Sequence, residues 1–294
     1  MKKFKFLISV LALFVAGSVS AQDDSNSFFD ETGNLNDSVA TDLPTGAPID
    51  GLEPIEMLNP RADDIYWSKV IYRTIDLREK FNYPFYFPTE ATDNRKNLFS
   101  LMFELASKGK IKLYQYMDKK EIFDDQHLVQ FKDILRQQDI AFTPRLDSIT
   151  NDTIFEVEES DIPAPKVIKY FLKEVWFFDK VSSTFNCRII GLCPILVTDG
   201  ETGIEKYPLF WVSFERLRPF LAQHEILITD KNNGARPSFD DVFMKRRFSG
   251  YIFRESNIQD RNLLEYNNDY ESCHKEQARI KTTILNFEND LWEY

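Results

Sequence analysis

The sequence predicts an α+β protein in which helices frame an antiparallel sheet and a long helix closes the chain. Three observations carry this. The 294 residues are 43% apolar and 14% aromatic, with 26 phenylalanines, enough to build a core with extensive aromatic packing and some sheet. Between Val167 and Phe214, apolar and polar residues alternate in three runs separated by turn residues, the pattern of a three-stranded meander. From Asp269 to Trp292, Cys273, Gln277, Ile280, Ile284, Phe287 and Leu291 recur every three or four residues and form one seam along a helix.

The chain divides by composition into 1–21, 22–60, 61–143, 144–165 and 166–294. Residues 1–21 read as a secretory signal: Lys2, Lys3 and Lys5 precede an apolar run from Phe6 to Ala16, and Val19-Ser20-Ala21 supplies small residues for cleavage before Gln22. The competing reading is an uncleaved anchor, but the run is short for about 30 Å of hydrocarbon. No cysteine sits just after the cleavage point, so nothing suggests N-terminal lipidation, and no other stretch is long and apolar enough to span a membrane. Loss of the three lysines takes the net charge from −11 to −14, which argues against nucleic-acid binding.

Residues 22–60 hold nine acids, no Lys or Arg, and Pro44, Pro48, Pro54 and Pro60, the composition of an extended arm that cannot pack alone. It is either a plain tether or an arm that orders on a neighbour through Phe28, Phe29, Ile55, Met57 and Leu58. In 61–143 the expectation is mainly helical. Trp67, Val70, Ile71 and Ile75 suggest a helix opened by Asp63, with Tyr66, Arg73, Asp76 and Lys80 on its other side. Tyr83-Pro84 to Phe87-Pro88 should then run extended. A second helix is expected from Asp93, with Leu98, Leu101, Met102 and Leu105 inward and Gly109 past its end. A strand at Ile111–Met117 and a third helix near Asp125–Gln137 follow. Pro144 to Pro165 reads as a connecting loop.

In 166–294, the strands Val167–Phe178, Phe185–Val197 and Ile204–Phe214 are joined at Ser182-Ser183 and at Asp199-Gly200 with Gly203. Pro219 leaves room for only a short helix start. An extended piece at Glu225–Thr229, a turn at Asn232-Asn233-Gly234 and a capping-box start at Ser238 and Asp241 complete the order. The C-terminal seam packs on its own body or is shared with another subunit. Cys187 and Cys193 lie in one expected strand; six residues of straight strand would part them by about 20 Å, too far for a disulfide unless the chain reverses near Gly191 and Pro194, so free thiols are expected.

Chemistry is sparse. There is no G-x-S-x-G, H-E-x-x-H, Walker loop or G-x-G-x-x-G. His127, His224 and His274 are dispersed, and the adjacent Cys273 and His274 point to different helix faces. No catalytic, cofactor or metal site is expected. Asp240, Asp241 and Glu255 are the acids an alternative hydrolase acting on peptidoglycan or glycans would use. Tyr83, Tyr86 and Phe87 are the aromatics an alternative cell-wall-binding module would use. Lys245-Arg246-Arg247 stands out in an acidic chain, as a locally paired run or as a docking patch for an acidic neighbour.

Several irregular segments fall in the same order as in a known family. Asp64-Ile65-Tyr66-Trp67-Ser68-Lys69, Ile75-Asp76-Leu77-Arg78-Glu79-Lys80, Tyr83-Pro84 and Phe87-Pro88 resemble the gliding-motility family GldN, also called PorN. So do Ser238-Phe239-Asp240-Asp241-Val242-Phe243, Arg246-Arg247-Phe248-Ser249, Glu255-Ser256-Asn257 and Asn286-Phe287-Glu288-Asn289-Asp290-Leu291-Trp292. The resemblance implies a non-catalytic, periplasmic ring component of the type IX secretion system of Bacteroidota. It implies assembly with an outer-membrane lipoprotein (GldK or PorK), contact with the motor subunit GldM or PorM, and self-association, without any cofactor. Candidate partner-binding residues are Phe28, Phe29, Tyr66, Arg73, Lys80, Lys245, Arg246 and Arg247.

Overall fold

The computed structural model describes residues 53–90, 95–117, 121–146, 153–200, 203–226, 228, 237–258, 261–267 and 269–290. The signal segment, Phe28, Phe29, Asp93, the 232–234 turn, Leu291 and Trp292 lie outside them.

In chain order the elements are β1 (Ile65–Asp76), α1 (Tyr83–Tyr86), α2 (Leu98–Ser107), α3 (Phe131–Gln137), β2 (Thr143–Leu146) and β3 (Thr153–Glu156). There follow β4 (Val167–Asp179), β5 (Thr184–Gly200), β6 (Gly203–Pro208), β7 (Val212–Ser213), α4 (Phe214–Ala222), α5 (Phe239–Met244), β8 (Tyr251–Glu255), α6 (Leu263–Tyr266) and α7 (Tyr270–Asp290). The class is α+β: an antiparallel sheet ordered β6-β5-β4-β1-β8, with β7 on β5, surrounded by helices and closed by the long α7. A separate hairpin, β2–β3, occupies part of the 144–165 stretch expected as loop.

The largest departure from the sequence reading is β1. The stretch expected as the opening amphipathic helix is a twelve-residue strand paired with β4 along nearly its whole length, from Trp67 opposite Phe178 to Asp76 opposite Lys169. It also pairs with β8 from Ile71 opposite Glu255 to Thr74 opposite Tyr251. Both its faces are covered, so Trp67, Ile71 and Ile75 look one way and Val70, Tyr72 and Thr74 the other. Apolar residues on both faces blur the period of two that marks a half-buried strand. The β-branched and aromatic content of IYWSKVIYRTID suits the pleat better than a helix.

The helices fall nearer to expectation. Asn97, not Asp93, caps α2, its side chain accepting from Ser100 N at 2.7 Å, and Gly109 follows in the left-handed region at φ 64°. Asp125–His127 is a separate 3₁₀ turn, so α3 begins only at Phe131. Tyr114 does not join a strand; its backbone exchanges two 2.9 Å bonds with Trp211. Pro219 sits inside α4, which starts earlier than expected, at Phe214. The capping box is complete: Ser238 Oγ accepts from Asp241 N, and Ser238 N donates to the Asp241 carboxylate, both at 3.1 Å.

The main core joins α2, α3, α4 and α5 to the sheet through Leu101, Met102, Leu135, Leu172, Leu192, Phe214 and Phe243. The seam of α7 packs on the chain's own sheet: Cys273, Ile280 and Ile284 meet Ile71 and Ile252, and Phe287 stacks on Trp67 with ring centroids 4.6 Å apart. Behind the sheet, Tyr114, Phe123 and Trp211 cover Val175, Ile190 and Cys193. Gly250 has a backbone reason: a Cβ there would stand 2.9 Å from the Thr74 carbonyl, so β8 could not enter beside β1.

Candidate functional site

What the fold brings together is charge, and most of it inside. At the centre of β4, the fully buried Glu174 accepts from Arg246 Nη2 at 2.7 Å and Trp176 Nε1 at 3.2 Å, with Arg73 Nε at 3.5 Å. Arg246 also reaches Cys187 Sγ at 3.1 Å and lies over the rings of Trp176 and Phe248. Its backbone is left-handed, φ 50°, at the end of α5, where an L-residue is tolerated only when its surroundings hold it. Arg73 Nη1 donates to Gly250 O at 3.1 Å. Two of the three arginines expected at a surface are therefore tied into the body. Burial pushes the Cys187 thiol well up, with the charge of Glu174 adding to it and those of Arg246 and Arg73 opposing it.

On the opposite face of the sheet, Arg254 stands over the Tyr72 ring at 3.7 Å and ion-pairs with buried Glu121, whose carbonyl accepts from Lys173. Burial and the Glu121 charge raise the Tyr72 phenol far above its ordinary value. A third cluster joins helices: Arg218, 1% exposed, holds Asp240 through Nε at 2.9 Å and Nη2 at 3.2 Å, and Glu215 pairs with Arg188 at 3.2 Å. The same Arg218 Nη2 donates at 2.5 Å to the carbonyl of Ile55, which fastens the end of the arm to α4. At the outer edge, Glu255 binds Lys69 at 2.5 Å and Arg279 at 3.2 Å, linking β8, β1 and α7. Burial alone would raise Asp76, but hydrogen bonds from Arg78 and the charge of Lys169 hold its carboxyl down at about 2.

The three acids of the hydrolase alternative thus sit in three different pairings: Asp240 with Arg218, Asp241 in the cap with Lys245 at 3.0 Å, and Glu255 with Lys69 and Arg279. An open cleft of about 1030 Å³ lies near α2, α3 and β6, lined in part by Lys96, Glu104, Asp139, Lys166 and Tyr207. Burial would raise Glu104, but Lys108 and Lys96 outweigh it and keep the carboxyl below its ordinary value, ionised and unfit as a general acid. Among the described residues, no group of three His, Cys, Asp or Glu could hold a metal, and no helix is long and apolar enough to cross a membrane.

Of the sequence-based partner residues, Tyr66 is 68% exposed and Lys80 and Lys245 lie at the surface. Arg247 is half-buried beside them in sequence. An aromatic shelf is also present: Tyr83 and Phe87 stack at 6.2 Å and are half exposed, with Phe81 two residues before. Beside the shelf, fully buried Asn82 ties its start to the body, donating to the carbonyls of Asp76 and Ser249 and accepting from Ser249 N. Sequence reasoning missed Glu174, Arg218, Glu121, Arg254 and Asn82. A lone acid inside an apolar strand, and an arginine inside an apolar helix, are signals for the first two, since neither can be buried without a partner.

These arrangements define a body whose buried ion pairs hold its own elements together, with Tyr66, Lys80, Lys245 and the Tyr83–Phe87 shelf at the surface. The chain belongs to the family of gliding motility associated protein GldN, whose family model matches residues 60–293. It is thus a gliding-motility component, and that family is not a known enzyme family. No curated protein matches the chain.

Proposed function

We propose that this chain is a non-catalytic structural subunit of the periplasmic ring of the type IX secretion and gliding machinery. It assembles with an outer-membrane lipoprotein of the GldK or PorK kind, with further copies of itself, and with the periplasmic domain of the motor subunit GldM or PorM. The observation that carries the reading is the family match across 60–293, the whole packed body. The internal pairing of Asp240, Asp241 and Glu255 supports a structural rather than a hydrolytic role. The signal-like residues 1–21 support export to the periplasm, on the inner face of the outer membrane.

In this reading, contact surfaces are built from the exposed Tyr66, Lys80 and Lys245, the neighbouring Arg247, and the arm with Phe28 and Phe29. Arg73 and Arg246 act indirectly, by fixing the surface beside them. An arm of this composition orders only where a partner supplies contact area. Deleting residues 22–52 while keeping the Ile55 anchor should leave the urea-unfolding midpoint of the body nearly unchanged. It should weaken co-purification with the lipoprotein by about tenfold or more, the loss of a few anchor contacts. Undiminished co-purification of the truncated chain would count against a role for the arm in assembly.

A further inference from the structure

The strand β6 ends the sheet, and its outer edge pairs with nothing among the described residues. The register fixes which backbone groups it shows there. Leu209 N donates to Pro194 O at 3.0 Å, so these two residues face each other as a hydrogen-bonded pair, and such pairs alternate along an antiparallel ladder. The next ones are Leu196 with Tyr207 and Thr198 with Glu205, which turns the N–H and C=O groups of Ile204 and Lys206 away from β5. Pro208 has no N–H and ends the open edge. The cleft of about 1030 Å³ lies along this edge, because Leu196, Thr198 and Tyr207 line it from one face of the sheet. Ile204, 66% exposed, and Lys206 project from the other face. Five acids line the cleft against two lysines, and Lys96 is taken up by Glu104. Asp139, Glu159 and Asp161 are exposed on its walls with no basic partner among the described residues.

We propose that the β6 edge and the cleft together receive an extended, basic segment of another protein, added to the sheet as a strand beside β6. Backbone bonds to Ile204 and Lys206 hold the added strand, and every second side chain points to the cleft face. There a Lys or Arg meets Asp139, Glu159 or Asp161. The side chains between them lie beside Ile204 on the other face, so the favoured pattern alternates cation and aliphatic residue. Two observations select this occupant. Unpaired backbone on a sheet edge is matched by an extended chain, which supplies donors and acceptors at the same spacing. The charge of the cleft repels the chain's own arm, since residues 22–52 carry seven acids and no Lys or Arg, and a second copy would offer the same acidic arm. The site rests on the strand register and the cleft, and holds whether or not the chain joins a ring.

The probe is a labelled heptapeptide of alternating lysine and valine with blocked ends, titrated by fluorescence anisotropy into the isolated chain from Gln22 onward. It should bind, and at saturation it should slow hydrogen exchange at the Ile204 and Lys206 amides about tenfold or more. Glutamate in place of the peptide's lysines should weaken binding about tenfold or more, and so should Asp139→Asn, Glu159→Gln and Asp161→Asn combined, because the charge pairs on the cleft wall are lost. These three side chains are exposed, and asparagine accepts the left-handed backbone of Asp139, φ 53°, so the variant should keep the urea midpoint of the parent. Methylating every backbone nitrogen of the lysine peptide should abolish binding without any change to the protein. No binding of the lysine peptide, equal binding of the glutamate peptide, or binding that leaves both amides unprotected overturns the proposal. Slow exchange at both amides in the free chain also overturns it, because the edge is then already covered. Binding of chitotetraose in the cleft with none of the peptide assigns the cleft to a glycan, and likewise overturns it.

Discussion

Replacing Glu174 by alanine is expected to lower the stability of the body by about 3–5 kcal/mol, the cost of removing one partner from a buried ion pair. Glu174 is fully buried and answers both Arg246 and Arg73, besides the Trp176 indole. Without it, the two guanidinium groups keep, among the described residues, the Gly250 carbonyl, the Cys187 sulfur and the Trp176 and Phe248 rings but no carboxylate. The left-handed backbone at Arg246 also loses the contact that holds it, so the turn between α5 and β8 should loosen. Urea unfolding measures this as a lower midpoint at an unchanged slope. Glu174→Gln keeps an acceptor and should lose less. A loss within about 1 kcal/mol for the alanine variant, the range of an exposed pair, would show that the network is not what joins α5 to the sheet.

Arg218→Ala should be comparably damaging, again about 3–5 kcal/mol, and should carry a distinct pH signature. Asp240 is 3% exposed and Arg218 is its bidentate partner. Burial already raises the Asp240 carboxyl above its ordinary value, with Arg218 pulling it back down. A carboxyl raised in the folded state contributes stability that is present below its unfolded pKa and lost as pH rises through the folded pKa. Removing Arg218 raises the folded value further. The deficit of Arg218→Ala should therefore shrink toward acid pH, where Asp240 is neutral, and grow as the carboxyl ionises. The pair Arg218→Ala with Asp240→Ala should be less destabilised than the two losses added together. The variant should also release the Ile55 carbonyl, so its arm should be cut by protease sooner than that of Glu174→Ala.

The helix seam of α7, the strands β4, β5 and β6 and the box at Ser238 were legible because each is written locally. Turn residues mark the meander, the apolar spacing marks α7, and Ser238 with Asp241 marks a helix start. The strand β1 was not, because its sheet neighbours β4 and β8 lie far along the chain and both its faces are covered, one by Cys273, Ile280 and Ile284 of α7 and the other in part by Phe123. Trp67, Val70, Ile71 and Ile75 fit a helical period by accident of which residues on each face are largest. Charge misled in the same way. Arg73 and Arg246 read as surface cations because their counter-ion, Glu174, is distant along the chain. Within the run Lys245-Arg246-Arg247, Lys245 pairs locally, with Asp241 one helical turn back, a contact that sequence spacing can show.

The measurement closest to the central claim is purification of the chain from membranes under mild detergent, with its co-eluting proteins identified and the particles imaged. The expected result is a large ring-shaped assembly holding many copies of this chain together with an outer-membrane lipoprotein. A monodisperse, lone monomer recovered from membranes that still hold the intact machine would contradict it.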